Sequence, residues 1–353
     1  MDTPAHANNF DLLRLVFAGS VMLRHLPTLS GAPQLEALAW VFPADIAVKA
    51  FFVISGYLVM MSWERSASLA DYAGKRARRI YPAYAAVVIV CGLGGALLTR
   101  YPVAAYFDGD LARYLAANLV FLNFLAPDLP GVFESQPFVE VNGALWTLKI
   151  EVLYYACVPL LAWLLMGRRR WWVLAALYAL SVAYVLATGD MYARTGAGIW
   201  LQLQRQLPGQ LGYFLAGTGL YFLRERIQAR SAAIAIVAAA ALVSVRLAAT
   251  PLLTIALEPL ALGVVVIFAA TGLPHLGNFA RFGDFSYGVY IIHFPVIQTL
   301  VATGLFERSL WAGAALSIVL VVVLSALSWH AVERPFLRRR SHYRLVERRG
   351  TVA

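Results

Sequence analysis

Residues 13–25 read LRLVFAGSVMLRH, an apolar run with Arg14 near its start and His25 at its end. At about 100° per residue, the step from Arg14 to His25 ends ~20° past three full helical turns. Both side chains therefore leave one face of a helix, with their anchors ~16 Å apart along its axis. That separation is roughly half the hydrocarbon thickness of a bilayer. Arg24 lies about 100° round the helix from His25 and is read as a snorkelling or packing residue.

The composition around this stretch decides the class. Of 353 residues, 61% are hydrophobic and 14% charged, with a mean hydropathy of +0.69, which excludes a soluble globular domain. Cys91 and Cys157 each sit in an apolar run and read as small buried hydrophobes; no metal-ligand spacing is present. The opening MDTPAHANNF lacks a basic region followed by a small-residue cleavage site, so the first apolar run is expected to remain as a transmembrane helix. The net charge of +10 reads as topology signal, not as a nucleic-acid surface.

Candidate spans fall at 11–30, 44–62, 80–98, 145–166, 171–187, 208–223, 232–247, 252–271, 285–304 and 310–331. Basic clusters lie between alternate spans: Arg65 with Lys75, Arg76, Arg78 and Arg79; Arg168 to Arg170; Arg224, Arg226 and Arg230; Arg338 to Arg340. This predicts an all-α polytopic protein of about ten transmembrane helices with both termini in the cytoplasm. Counting the apolar LARYLAANLVFLNFL, inside the long extracytoplasmic piece 99–143, as a span would reverse every later basic loop, so it is read as interfacial or re-entrant. One transmembrane domain over 1–340 is expected, followed by a basic cytoplasmic tail at 341–353 that anchors to the membrane surface.

Ionisable groups inside spans are costly and are functional candidates by default. Counting residues inward places His25, Glu151, Lys149, Lys49 and Asp45 in the outer half, with Asp45 and Lys49 four apart and able to pair. Lys149 and Glu151 stand about 200° apart on a helix and cannot both face one cavity unless the helix is irregular there; Glu151 is the preferred one. An imidazole beside a carboxylate is a proton acceptor, so His25 and Glu151 suit activation of a hydroxyl, against a plain structural role for the histidine. A second group, Arg14, the KRARRIYP stretch, Arg281 and Arg334, lies at the inner side, with Arg76 and Arg79 sharing a face. These are either topology charges on anionic headgroups or forks for a polyanionic, nucleotide-bearing donor. His293 is read first as a pathway or packing residue, with Tyr287 and Tyr290 able to line a tunnel; Gly56 and Gly288 permit close helix approach.

The residues in their order resemble the membrane acyltransferase-3 family over nearly the whole chain. Arg14 and His25 match its Arg-then-His pair in the first span. FFVISGYL (51–58), RARRIYPAY (76–84), LWTLKIEVLYY (145–155, with Trp146 and Glu151), FSYGVYIIHFPV (285–296) and VERPF (332–336) match further elements. The resemblance implies a bacterial inner-membrane enzyme that takes an acyl group, acetyl above all, from cytoplasmic acetyl-CoA. The acceptor would be a glycan: an exopolysaccharide, an O-antigen or a lipid-linked oligosaccharide. It implies His25 as catalytic base, oriented by Glu151, and donor binding by Arg14, Arg76 and Arg79 with Tyr287 and Tyr290 along the path. Acceptor binding falls to Lys49, Trp146 and Lys149; Lys149 departs from the family's pattern before the Glu. No metal and no nucleic acid are expected. The rival reading is a transporter or flippase for an acyl donor or polyprenyl-linked glycan, since charged groups at mid-membrane also suit transport.

Overall fold

The computed structural model describes residues 8–41, 43–227, 231–248, 250–338 and 341. Arg230, Arg339, Arg340 and the tail from residue 342 lie outside the described residues. Among the described residues every regular element is helical and none is a strand. That is what a chain of this hydropathy needs, because in hydrocarbon a helix satisfies its backbone groups within itself.

The principal helices are α1 (Phe10–Ser30), α2 (Ala44–Glu64), α3 (Leu69–Gly94), α4 (Gly109–Leu119), α5 (Trp146–Leu164) and α6 (Arg170–Thr195). They continue with α7 (Leu207–Ile227), α8 (Ser231–Ala248), α9 (Pro251–Thr271), α10 (Ser286–Ala302) and α11 (Leu310–Ser328). Among the described residues seven segments, built on α1, α2, α3, α5, α6, α9 and α11, are long and apolar enough to cross a membrane, and residues 232–248 and α10 form shorter apolar helices. The expected span at 208–223 corresponds to α7, which is not among the seven. Its last turn carries Arg224 and Arg226. The apolar stretch after residue 110 folds into α4, only 11 residues long and capped by the Asp108 carboxylate accepting from the Asp110 N–H. At ~1.5 Å per residue it is too short to cross.

The chain divides into two compact units, each assembled from separate segments. The first comprises described residues 8–10, 48–73 and 150–277. Here α6 packs on α7, and α9 on both α7 and α8. Helices α2 and α7 meet backbone to backbone at two glycines. A Cβ on Gly56 would lie 1.9 Å from the Phe214 carbonyl oxygen, and one on Gly217 would lie 2.0 Å from that of Val53. Small residues of this kind are what let helices in lipid approach closely. Pro159 inside α5 cannot donate to the carbonyl of Tyr155, four residues earlier; the Tyr72 hydroxyl donates to that oxygen instead, at 3.1 Å. Asn9 closes the far end of α9, its backbone N–H donating to Ala270 O (2.8 Å) and its amide to Ala269 O (3.2 Å).

The second unit comprises 11–47, 74–149 and 278–338 with 341. Helix α10 packs on α11, and Gly288 faces the backbone of Ser325, where a Cβ would come within 2.9 Å of Cα. Past Ser328 the helix widens into a π-helical stretch, Trp329–Glu333. The fully buried Trp329 ring fills the space a side chain at Gly283 would need, 2.3 Å from an ideal Cβ. Gly283 also has φ +131°, a conformation open to glycine.

Candidate active site

Three polar groups emerge, two in the second unit and one in the first. The first surrounds Asp284, immediately before α10. Its Oδ2 accepts from Arg14 (3.0 Å) and from Arg79 (2.7 Å), while Oδ1 accepts from the Ser286 backbone N–H (3.2 Å) and from the Ser286 hydroxyl. Arg14 also pairs with Asp11 (3.0 Å), and Arg79 with Glu333 of the π-helical stretch (2.7 Å). The Arg79 guanidinium lies 5.3 Å from the ring centre of Tyr287 and 6.0 Å from that of Trp329, a favourable cation–aromatic range. Asp284 and Glu333 are buried and the arginines nearly so. Burial pushes the Asp284 carboxyl up, but the guanidinium groups of Arg79 and Arg14 and the bonds from Ser286 more than offset this, leaving it below its ordinary value. Arg14 and Arg79 share one carboxylate and each holds a second. Arg76 is half-buried on the helix of Arg79.

The second group lies one helical stretch further on. His25 Nδ1 is 3.0 Å from His293 Nε2, and the two rings lie nearly parallel with centres 5.0 Å apart. Asp284 meets Arg14 and His293 meets His25, so α1 and α10 run in the same direction. The two contacts are separated by ~16 Å along α1 and ~14 Å along the other strand of chain. Tyr287, Tyr290 and His293, spaced by three, share one face of α10. The Tyr287 hydroxyl donates to Ile80 O (2.9 Å), and that of Tyr290 shares a hydrogen bond with Thr147 Oγ1 (2.6 Å).

The bonds around the two imidazoles determine which nitrogen holds the proton. His293 Nδ1 lies 3.0 Å from the Val289 carbonyl oxygen, which can only accept, so in neutral His293 the proton is on Nδ1 and Nε2 is the acceptor. His25 Nδ1 faces that Nε2 and, at 2.9 Å, the Val21 carbonyl oxygen. Both neighbours accept, so His25 carries its proton on Nδ1 and its lone pair on Nε2. The sequence reads His293 as a pathway or packing residue and does not pair it with His25. Its place on the Tyr287–Tyr290 face was the available signal.

The third group belongs to the first unit. Glu151 Oε1 accepts from Ser55 (3.1 Å) and Tyr155 (2.5 Å). The sequence sets Glu151 and His25 together by depth; the bonds observed for each are with these other residues. Lys49 forms an ion pair with the buried Glu258 of α9 (2.5 Å), which also accepts from Tyr213 (2.9 Å) and faces Arg246 (3.8 Å). Glu258 was not singled out from the sequence, although a carboxylate inside PLLTIALEPLALG is visible there. In the second unit, the Lys149 ammonium lies 4.6 Å from the centre of the Phe124 ring, and Trp146 is half-buried at the first turn of α5. No group of three or more metal-ligating side chains occurs among the described residues.

The sequence compares with known proteins over most of its length. It is 32% identical over 339 residues to the O-acetyl transferase of Shigella phage Sf6, covering 95% of this chain and 97% of that one. To Nodulation protein 10 of Rhizobium leguminosarum bv. viciae it is 29% identical over 385 aligned positions, covering 99% and 97%. To the exopolysaccharide production protein ExoZ of Rhizobium meliloti it is 30% identical over 307 residues, covering 83% and 89%. No solved structure matches it. The model of the family described as an acyltransferase domain matches residues 8–330, and this chain, helical and rich in apolar segments fit to cross a membrane, belongs to that acyltransferase-3 family.

Proposed function

We propose that this acyltransferase moves an acetyl group from cytoplasmic acetyl-CoA to a hydroxyl of an extracytoplasmic or lipid-linked glycan. It would do so as a single transmembrane domain of ten spans in the bacterial inner membrane, with both termini in the cytoplasm. The names of the similar proteins, an O-acetyl transferase and an exopolysaccharide production protein, support acetyl as the group and a glycan as the acceptor. The observation that carries the reading is the polar column on α1 and α10: guanidinium groups at one end, and at the other an imidazole whose Nε2 is left as the acceptor.

In this reading the acceptor hydroxyl gives its proton to His25 Nε2 as its oxygen attacks the thioester carbonyl carbon. The C–S bond breaks, the acetyl group stays on the acceptor oxygen, and the departing CoA sulfur takes the proton back. General base action of this type contributes typically 10²–10⁴-fold. Glu151, held by Ser55 and Tyr155, is the carboxylate of the site on the strength of its depth in the sequence. Donor phosphates suit guanidinium forks, and Arg14, Arg76 and Arg79 are assigned to them. Arg14 and Arg79 also hold carboxylates, which a bound phosphate would share. Tyr287 and Tyr290 flank the pantetheine arm; Lys49, Trp146 and Lys149 face the acceptor.

Reconstitution tests this. Proteoliposomes loaded with labelled acetyl-CoA and given glycan acceptor outside are expected to release free CoA and label the glycan. His25→Ala is expected to lower that rate at least about a hundredfold at unchanged protein level. Passage of intact donor without CoA release would instead identify a transporter. Full activity of the alanine variant would remove His25 from the chemistry.

A further inference from the structure

Two residues beyond His293, Pro295 lies inside α10. It has no N–H, so the carbonyl of Ile291, four residues earlier, loses its helical donor. A buried carbonyl at membrane depth needs another. Asn142 supplies it: its Nδ2 donates to Ile291 O at 2.8 Å, with both groups buried. The other end of the same amide, Oδ1, accepts from the Ala144 N–H at 3.3 Å, at the turn Gly143–Leu145 that leads into α5. Turning the amide over would set acceptor against acceptor at Ile291 and donor against donor at Ala144. The two partners therefore fix its orientation.

The surroundings tie this amide to the imidazole pair. An ideal Cβ on Gly143 would lie 2.8 Å from the Phe294 ring, so only a glycine next to Asn142 lets that ring take its place. Phe294 in turn stands edge-on to His25, with ring centres 5.3 Å apart. On the other side of His293, Tyr290 is bonded to Thr147 of α5. Further along α10, Gln298 donates to Phe138 O (2.7 Å) and Glu140 O (3.2 Å). The segment before α5 is thus fastened to α10 on both sides of the turn that carries His293.

We propose that Asn142 is a positioning residue for acyl transfer: by giving Ile291 the donor that Pro295 withholds, it sets how α10 presents His293 to His25. The proposal rests on the reading of His25 as base. It makes Asn142 and Pro295 a matched pair. Replacing Pro295 with alanine restores an N–H for the Ile291 carbonyl, and the amide then has nothing to compensate.

The test is a cycle of full-length proteins, Asn142→Ala, Pro295→Ala and the double variant, with turnover and donor KM measured per folded protein. Misplacement of reacting groups by about 1 Å can cost 10²-fold. Asn142→Ala is expected to lower turnover at least about tenfold on that scale with donor KM within about twofold. In the Pro295→Ala background the same change is expected to cost less than about threefold, a small fraction of that scale. Asn142→Asp keeps the acceptor for Ala144 and loses the donor for Ile291, so it is expected to fail like the alanine. An equal loss in both backgrounds, no loss at all, or full activity of the aspartate variant would overturn the proposal. Should Asn142→Ala not accumulate as folded protein, recovery of folded protein in the double variant supports the pairing and continued absence refutes it. If His25→Ala is fully active while the cycle still shows coupling, the base assignment falls and the pairing stands. If His25→Ala is inactive and the cycle shows none, the pairing alone falls.

Discussion

At the scale of single residues, the Asp284 carboxylate shows how the membrane-side chemistry is held together. Two guanidinium groups and Ser286 meet on it while it is almost fully excluded from solvent. Removing one partner of a buried ion pair costs about 3–5 kcal/mol, chiefly because it strands the other charge. Asp284→Asn is accordingly expected to lower the thermal midpoint of purified protein markedly at neutral pH. The dependence on pH has a defined sign. Because the carboxyl is held below its ordinary value, its contribution is complete above the unfolded carboxylate pKa and disappears as pH falls through the depressed folded value. Melting curves of both proteins from neutral to strongly acid pH should therefore converge only at the acid end; a constant gap would deny the carboxylate its role. The eleven-residue spacing sets Arg14 and His25 on one face, and in the fold each meets a residue at or on α10. Asp284 was not legible, because nothing in GDFSYG distinguishes a buried counter-ion from a loop acid before α1 and α3 are brought to it. The ion pair of Lys49 with Glu258 was illegible for the same reason. Asp45 is near in sequence, and Glu258 is near only in the fold.

At the scale of elements, hydropathy located the helices well, because a segment in lipid must be apolar along its length. It did not give their ends. Helix α3 begins at Leu69, ahead of the expected span at 80–98, and carries the basic stretch 75–79 on its first turns. Nor could it give the π-helical stretch Trp329–Glu333, where one widened turn directs Glu333 to Arg79 and buries Trp329 against Gly283. That irregularity answers to partners far away in sequence, which no local period encodes. Close approach is a further property of elements. At Gly56 even a methyl would enter the Phe214 carbonyl, so Gly56→Ala must push α2 and α7 apart. Overpacking of this type costs roughly 1–3 kcal/mol or more, and a backbone contact has less room to yield than a side chain. The expected outcome is a lower thermal midpoint in detergent. Gly219→Ala on α7, whose added methyl meets only the tip of Leu174 at 4.0 Å, should melt like the parent protein. Equal behaviour of the two variants would mean that the helices do not meet at Gly56.

At the scale of the whole molecule, the proposed direction of every span rests on the alternation of arginine-rich and arginine-poor connections. The proposed division of labour follows from that direction. A donor with several phosphates belongs at the arginine end and a glycan at the imidazole end only if α1 runs from the cytoplasm outward. The positive-inside bias reads this from Arg65, Arg76, Arg78 and Arg79 on one side and from the lack of Lys and Arg in 128–140 on the other. The two sides can be labelled separately. With Cys91 and Cys157 replaced by alanine, a cysteine at the exposed Ala67 should resist a membrane-impermeant maleimide in right-side-out vesicles and react after permeabilisation. One at the exposed Ser135 should react at once. The opposite pattern would turn α1 round, put the guanidinium groups on the acceptor's side, and leave a cytoplasmic nucleotide donor no route to them. The same labelling, applied to cysteines in the connections on either side of each, decides whether α7, α8 and α10, which lie outside the seven membrane-crossing segments, cross the bilayer. Only α6 and α7 separate Arg168–Arg170 from Arg224, so a non-crossing α7 would leave these two clusters on opposite sides, against the charge that both carry.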